Sequence, residues 1–444
     1  MPKALQHTLV SLRDIALTAG PFVLIAIALL AGAFVMLEPN PPRHVVLATG
    51  VEQGAYAEFG RRYAQQLKLH GITVELRATQ GAAENLALLR DANSGVDLAF
   101  VQGGADSEAR PGEDGMDPGL VSLGSMFYEP VWLFYREASA QRLAKAPTLG
   151  ALAQLVGGSL NVGAAGSGVP PLMQRLLEAN RIDPATITLS RKSTTPAVVD
   201  LLEGRLDALV LASAPESLMV QMLLQTPGIR LFDFAQAEAY SRRFAFMSPV
   251  LLPRGVVDLA RDLPATNVHL VAPTATLVAR KSLHPALAQL FVQAAQQVHG
   301  GAGWFQRRGD FPNAGNTEWP IAAEAQRVYR NGVPWTQRYL PFWLANLADR
   351  MWVVLLAIAA VLIPLSRVLP PLYDFRVRSR VFRWYAQLRA VDEAKGQRPA
   401  AELLRELDQI ENHLGHVTVP LSYADELYAL RSHIQMVRRR LQSA

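Results

Sequence analysis

The chain is 444 residues long, half of them hydrophobic, with 43 Lys and Arg against 38 Asp and Glu and no Cys. The lack of cysteine excludes a disulfide framework and thiolate chemistry, and the small basic excess of +5 forms no stripe interleaved with stacking aromatics of the kind a nucleic-acid surface needs. The length allows two or three folded units.

Residues 15–37 are the first apolar run, broken only mildly by Thr18, Gly20 and Pro21. About 20 mostly apolar residues cross the hydrocarbon core of a bilayer, so this run is expected to be a transmembrane helix. Ala31-Gly32-Ala33 resembles a signal-peptidase site, but Phe34-Val35-Met36-Leu37 carries the run past it, which favours an uncleaved anchor. Lys3 and Arg13 place residues 1–14 on the cytoplasmic side.

A Pro-rich linker, residues 39–42, leads into an alternation of strand and helix patterns. Strands are predicted over 44–49, 72–78 and 96–101. Helices are predicted between them, through Tyr56, Phe59, Tyr63 and Leu67 and then through Asn85, Leu86 and Leu89. This βαβαβ order indicates a parallel sheet covered by helices, with a ligand outside the carboxyl ends of the strands. The loops at 50–54, 79–81 and 102–104 fall at those ends.

The pattern then recurs. Strands are predicted at 159–164, 187–190, 206–211 and 229–232, and helices at 169–180 and 195–203, the first opened by Pro170-Pro171. Two such lobes, with crossing strands at 131–135 and on the return at 268–279, describe a hinged two-lobe α/β receptor whose ligand lies in the cleft. The expected domain spans 43–346, with one lobe from 43–130 and 270–346 and the other from 131–269.

A second apolar run, residues 351–365, has no charged side chain between Arg350 and Arg367 and is read as a second span over 350–366. Arg367, Arg376, Arg378, Arg380, Arg383 and Arg389 follow it, which puts residues 371–444 in the cytoplasm and suits anionic lipid headgroups. Three apolar seams stepping by four and three, over 377–391, 403–414 and 423–441, predict a small helical hairpin or bundle.

The ordered set Ala48-Thr49-Gly50, Gly54-Ala55-Tyr56, Ala78-Thr79-Gln80-Gly81, Glu84-Asn85-Leu86 and Asp97 to Gln102 resembles the solute-binding subunits of TRAP transporters, specifically the TAXI family. Glu129-Pro130, Gly166-Ser167-Gly168, Leu202-Glu203-Gly204 and Asp207-Ala208 agree in order. Tyr339-Leu340-Pro341-Phe342 and Leu369-Pro370-Pro371-Leu372-Tyr373 resemble a membrane-tethered branch of that family. The resemblance implies a type II periplasmic-binding-protein-like domain in the periplasm, held at the bacterial inner membrane by two spans with both termini cytoplasmic. Such a receptor captures a small, carboxylate-bearing solute for a separate TRAP permease. Tyr56 followed by Ala57, Gln80-Gly81-Ala82 in place of a Gly-Gly-Ser loop, and Gly104 in place of an acid depart from the family and leave the ligand open.

The candidate ligand-binding residues are Tyr56, Thr79, Gly81, Asn85, Gln102, Ser167, Gly168, Thr194 and Ser213. The Gly loops precede helices, so their N–H groups and the helix dipole favour an anion. Gln102 offers an amide, the Ser and Thr residues hydroxyls, and Tyr56 a ring with a polar tip. Asn85 is placed behind the loop as a brace, and Glu129, beside Pro130, at the hinge. The sequence has no His-x-x-x-His pair, no Gly-x-Ser-x-Gly elbow and no phosphate loop, so no enzyme is expected, and no cofactor or metal. Asp106, Glu108, Glu113, Asp114 and Asp117 are read as a solvated loop, their spacing matching no calcium loop. The alternative to the receptor is a membrane sensor or scaffold that acts through its helical tail.

Overall fold

A computed structural model of the chain describes residues 3–37, 40–52, 54–106, 117–415 and 424–442. It divides into two compact units, Asn40–Ala345 on the one hand and residues 1–39 with 346–444 on the other. Helix α1 (Lys3–Leu37) belongs to the latter. Its stretch Ala19–Met36 has a mean hydropathy of 2.4 and no buried residue. Among the described residues it is the one helix that is, by itself, long and apolar enough to cross a membrane.

The unit Asn40–Ala345 opens with β1 (His44–Ala48), α2 (Ala55–Lys68), β2 (Thr73–Arg77), α3 (Ala82–Arg90) and β3 (Leu98–Gln102). Strand β1 lies between β2 and β3 and runs parallel to both. Val45 to Ala48 are all buried, the continuous apolar run expected of a strand covered on both faces. Helix α2 turns Tyr56, Gly60, Tyr63 and Leu67 inward, the three-to-four spacing of an amphipathic helix on a sheet.

Strand β4 (Leu120–Tyr128) follows and ends at Glu129-Pro130, where the chain leaves the first sheet for β5 (Val131–Arg136). After α4 (Glu137–Ala144) come β6 (Ser159–Asn161), α5 (Val169–Ala179), β7 (Thr188–Ser190), α6 (Thr194–Leu202), β8 (Ala208–Ala212), α7 (Leu218–Leu224), β9 (Ile229–Leu231), α8 (Ala237–Arg243) and β10 (Met247–Leu252). The return is β11 (Val268–Arg280), followed by α9 (Pro285–His299) and α10 (Ala323–Asn331).

Two sheets result. One has the order β10-β11-β3-β1-β2, with β4 also on β11; the other has the order β7-β6-β8-β5-β9. Strand β11 serves both lobes. Its first half pairs with β10 against the second core, around Trp132, Phe134 and Leu209, and its second half pairs with β3 and β4 against the first, around Leu47, Phe100 and Phe291. The expected crossing strand at 131–135 is corrected: β5 is an interior strand of the second sheet, because its run from Val131 to Tyr135 is buried throughout. The crossing itself is at Glu129-Pro130. There the Glu129 N–H donates to the Pro273 carbonyl at 2.9 Å, tying the two connections together.

In the other unit, α11 (Phe342–Ser366) is followed by α12 (Leu369–Glu393), α13 (Ala400–Gly415) and α14 (Ala424–Gln442). Residues 351–365 and 370–393 are long and apolar enough for a span only when taken together, across a 47° bend. Leu388 and Val391 of α12, Leu403, Leu407, Ile410 and Leu414 of α13, and Leu430, Ile434, Val437 and Leu441 of α14 share one core. These are seam positions legible in the sequence. Tyr423, expected to start the third seam, and residues 416–420 lie outside the described residues, as do Glu108, Glu113 and Asp114 of the acidic cluster. Its two described members, Asp106 and Asp117, both bond to Arg90, at 2.6 and 3.0 Å. No group of three metal-ligating side chains is found among the described residues.

Candidate functional site

A cavity of about 650 Å3 lies between the lobes at the carboxyl ends of β1, β2, β3, β6 and β8. Of the nine sequence-predicted residues, Tyr56, Thr79, Gly81, Gln102, Ser167, Gly168, Thr194 and Ser213 line it. Asn85 does not, and its assignment to ligand contact is corrected. It is fully buried; its amide nitrogen donates to the carbonyls of Thr49 and Phe100, and its Oδ1 accepts from the Thr79 hydroxyl at 2.7 Å. Asn85 therefore welds the two cleft loops of the first lobe to β3, since a buried amide needs its bonds made inside the protein.

The loop at Gly81 is also corrected as an anion site. The Gly81 N–H goes to Thr79 Oγ1 at 3.2 Å, the Gln80 N–H to the Glu84 carboxylate at 2.7 Å, and the Glu84 N–H to the Gly166 carbonyl of the second lobe at 3.1 Å. Much of the first turn of α3 is thus used on the protein itself, part of it across the cleft. Gly81 has φ of +134°, and a Cβ there would stand 3.1 Å from Ser167 Cα, so backbone and contact both require glycine.

The lobes also touch at Gly168 and at Arg175. Gly168, at the start of α5, packs against the side chain of Gln102: a Cβ on it would overlap the amide oxygen. Arg175 of α5 donates to the Asp106 carbonyl at 2.5 Å. On the second lobe, Ser167 Oγ bonds the Ala164 carbonyl at 2.7 Å, and Trp132 Nε1 holds the Ser213 carbonyl at 2.9 Å. The hydroxyls of Ser193, Thr194 and Thr195 line the cavity at the start of α6, where Ser193 makes no capping bond.

Sequence reasoning placed Glu129 at the hinge, and it is there; it also lines the cavity. The residue is 4% exposed, and Tyr56 Oη donates to its Oε2 at 2.7 Å. Burial pushes the Glu129 carboxyl up to about 8, against the opposing pull of the Tyr56 bond. Burial first, and the neighbouring carboxyl second, push the Tyr56 hydroxyl well above its ordinary range, so Tyr56 keeps its proton and donates. The Tyr56 ring is fixed by stacking on Phe100, centroids 5.1 Å apart. Among the described lining residues are Glu52, Glu84 and Glu129 but no Lys or Arg. One signal for Glu129 was legible: an acid alone in the apolar stretch from Met126 to Tyr135, which has to be buried or functional.

The isolated histidines resolve without chemistry. His284 caps α9 through the Ala286 N–H at 3.2 Å, and His269 lies 3.2 Å from Asp233. His299 is buried between the rings of Phe59, Tyr63 and Phe127. Burial lowers its ring to about 3, so it is neutral.

A search of curated proteins returns no match. Among solved structures, the chain is similar to the alkanesulfonate-binding protein SsuA from Xanthomonas axonopodis pv. citri bound to MOPS, at 14% identity and a TM-score of 0.37, over 58% of this chain and 74% of that one. It is similar to the periplasmic aliphatic sulphonate binding protein SsuA from Escherichia coli, at 14% identity and 0.35, over 72% and 83%. The effector binding domain of QuiR in complex with shikimate is a third, at 14% identity and 0.37, over 59% and 98%. The mixed α/β, two-sheet fold resembles type II periplasmic-binding-protein domains. A family model matches residues 47–295, more than half of the chain and both lobes of the cleft, and the protein belongs to the NMT1-like family.

Proposed function

We propose that residues 43–346 are an extracytoplasmic receptor that captures a small solute in the interlobe cavity and delivers it to a separate TRAP-type permease. The observation that carries this reading is the cavity: about 650 Å3, walled from both lobes by Gly loops and hydroxyls, with the amides of Gln80 and Gln102, and with the lobes in direct contact at its rim. That volume suits a small molecule bound by a few placed polar groups. The carboxylate-bearing class suggested by the sequence would meet the hydroxyls at the start of α6, since the α3 end is occupied. Helix α1 supports a membrane anchor, and the uncharged run at 351–365 within α11, though too short to qualify without 370–393, is the segment we assign to a second span. With the arginines at 367–389 on the cytoplasmic side against anionic lipid, both termini lie inside and the cleft faces the periplasm.

The test is a thermal-shift screen of the full chain in detergent against amino acids, keto acids and dicarboxylates. A solute at about 100 times its Kd stabilises the folded form by about 2.7 kcal/mol. A saturable shift that is lost in Ser167→Trp supports the receptor and its cleft; no shift with any small molecule refutes it. The separate core of α12 to α14 favours one second reading, a sensor with that unit as its output. It is supported if a partner protein captured through that unit is released or recruited on solute addition.

A further inference from the structure

Deepening the receptor reading and resting on it, we infer that the solute carries a positively charged nitrogen that docks on the Glu129 carboxyl, a cation that no described residue of the cavity wall supplies. Three observations converge. Glu129 is buried on the cavity wall, at the hinge where both crossing connections meet. Its side-chain hydrogen bond is from a neutral phenol, Tyr56, and a buried ionised carboxylate is costly unless an opposite charge reaches it. Among the described residues, the other acids on the cavity wall are Glu52 and Glu84, and no Lys, Arg or His of either lobe lines it. Two residues before Glu129, Phe127 stacks on His299, which is held uncharged.

With only Tyr56 beside it, Glu129 holds a proton at neutral pH, because burial raises the carboxyl to about 8. A bound ammonium group displaces that proton to solvent and takes its place, while Tyr56 continues to donate to Oε2. The hydroxyls at the start of α6 remain for an acceptor group elsewhere on the solute. A carboxylate alone makes the opposite demand, because it needs Glu129 to stay protonated.

The experiment is calorimetric titration of the full chain in detergent with choline, putrescine, γ-aminobutyrate, butyramide and succinate between pH 6 and 9. Choline is charged throughout, so any pH slope with it belongs to the protein. The expected result is that nitrogen cations bind and that affinity rises about tenfold per pH unit up to about 8 and then levels. Paired titrations in buffers of different ionisation enthalpy should read close to one proton released per cation at pH 7. Glu129→Gln, isosteric and uncharged, should weaken cation binding more than tenfold and abolish the slope, with an unchanged melting temperature at pH 6. Binding of succinate alone, or cation affinity that is flat in pH and intact in Glu129→Gln, overturns the inference and leaves the receptor standing. No binding by any of these compounds overturns the inference, and the receptor reading falls with it only if the thermal-shift screen is also blank.

Discussion

Gly168→Ala separates a cleft that closes by lobe contact from one whose lobes merely lie near each other. Gly168 has φ of −75° and ψ of −10°, so alanine meets no backbone strain and removes some freedom from the unfolded chain. Its Cβ, however, would overlap the Gln102 amide oxygen, stand 3.0 Å from Gln102 Cδ and 3.3 Å from Ala82 Cβ, all on the opposite lobe. Gln102 is 3% exposed and has little room to give way. Overpacking of this kind costs about 1–3 kcal/mol, charged here to the closed form alone. Closure, and with it solute affinity, should therefore fall about 5- to 150-fold, while thermal stability holds or rises slightly. Because the chain has no cysteine, Cys pairs introduced at the exposed positions Lys68 of α2 and Glu178 of α5 can carry spin labels, and the interlobe distance distribution reports closure directly. Adding Gln102→Ala removes the obstacle and should restore the short distance in Gly168→Ala, a coupling of at least about 1 kcal/mol in the double-mutant cycle. A wild-type distance distribution in Gly168→Ala, or additive effects in the cycle, refutes the reasoning.

Three further outcomes are expected. Glu129 keeps its proton in the folded chain between its ordinary 4.5 and about 8, where the unfolded chain has lost it. Stability should therefore decline as pH rises through that window, by an upper bound of order 4–5 kcal/mol, and melting temperatures from pH 5 to 9 should be flatter in Glu129→Gln. His299 has the opposite sign: lowered from 6.5 to about 3, it binds its proton only in the unfolded chain, so stability falls as pH drops from 6.5 toward 3. His299→Phe, which keeps a ring among Phe59, Tyr63 and Phe127, should resist acid better than the wild type, and equal acid midpoints would refute this. Finally, α1 as an anchor requires the full chain to stay with membranes through alkaline carbonate extraction; release into the supernatant would count against it.

Most of the cleft was legible in the sequence. Strand–loop–helix order places loop tips at one end of a parallel sheet, and eight of the nine residues named there, all but Asn85, line the cavity. The seam of α12 to α14 was legible for a related reason, since a periodicity of four and three puts the apolar side chains of a helix on one face. Strand β4 was not, because Ser122, Gly124 and Ser125 interrupt its apolar pattern. Their cost is met only by tertiary partners such as the Gly315 carbonyl, which takes the Ser125 hydroxyl at 2.5 Å.

What the tertiary structure alone decided was where polar groups spend their bonds. The sequence could name Asn85 as a brace, Gly81 as a loop and Glu129 as a hinge, but not show that Asn85 ties two loops to β3 or that the start of α3 bonds to the opposite lobe. Nor could it show that Glu129 is both hinge and cavity wall. Periodicity and turn chemistry act over a few residues and are written in order along the chain. The partner of a buried amide or carboxyl is set by segments far apart in sequence, Tyr56 with Glu129 or Glu84 with Gly166, which meet only once both lobes are folded.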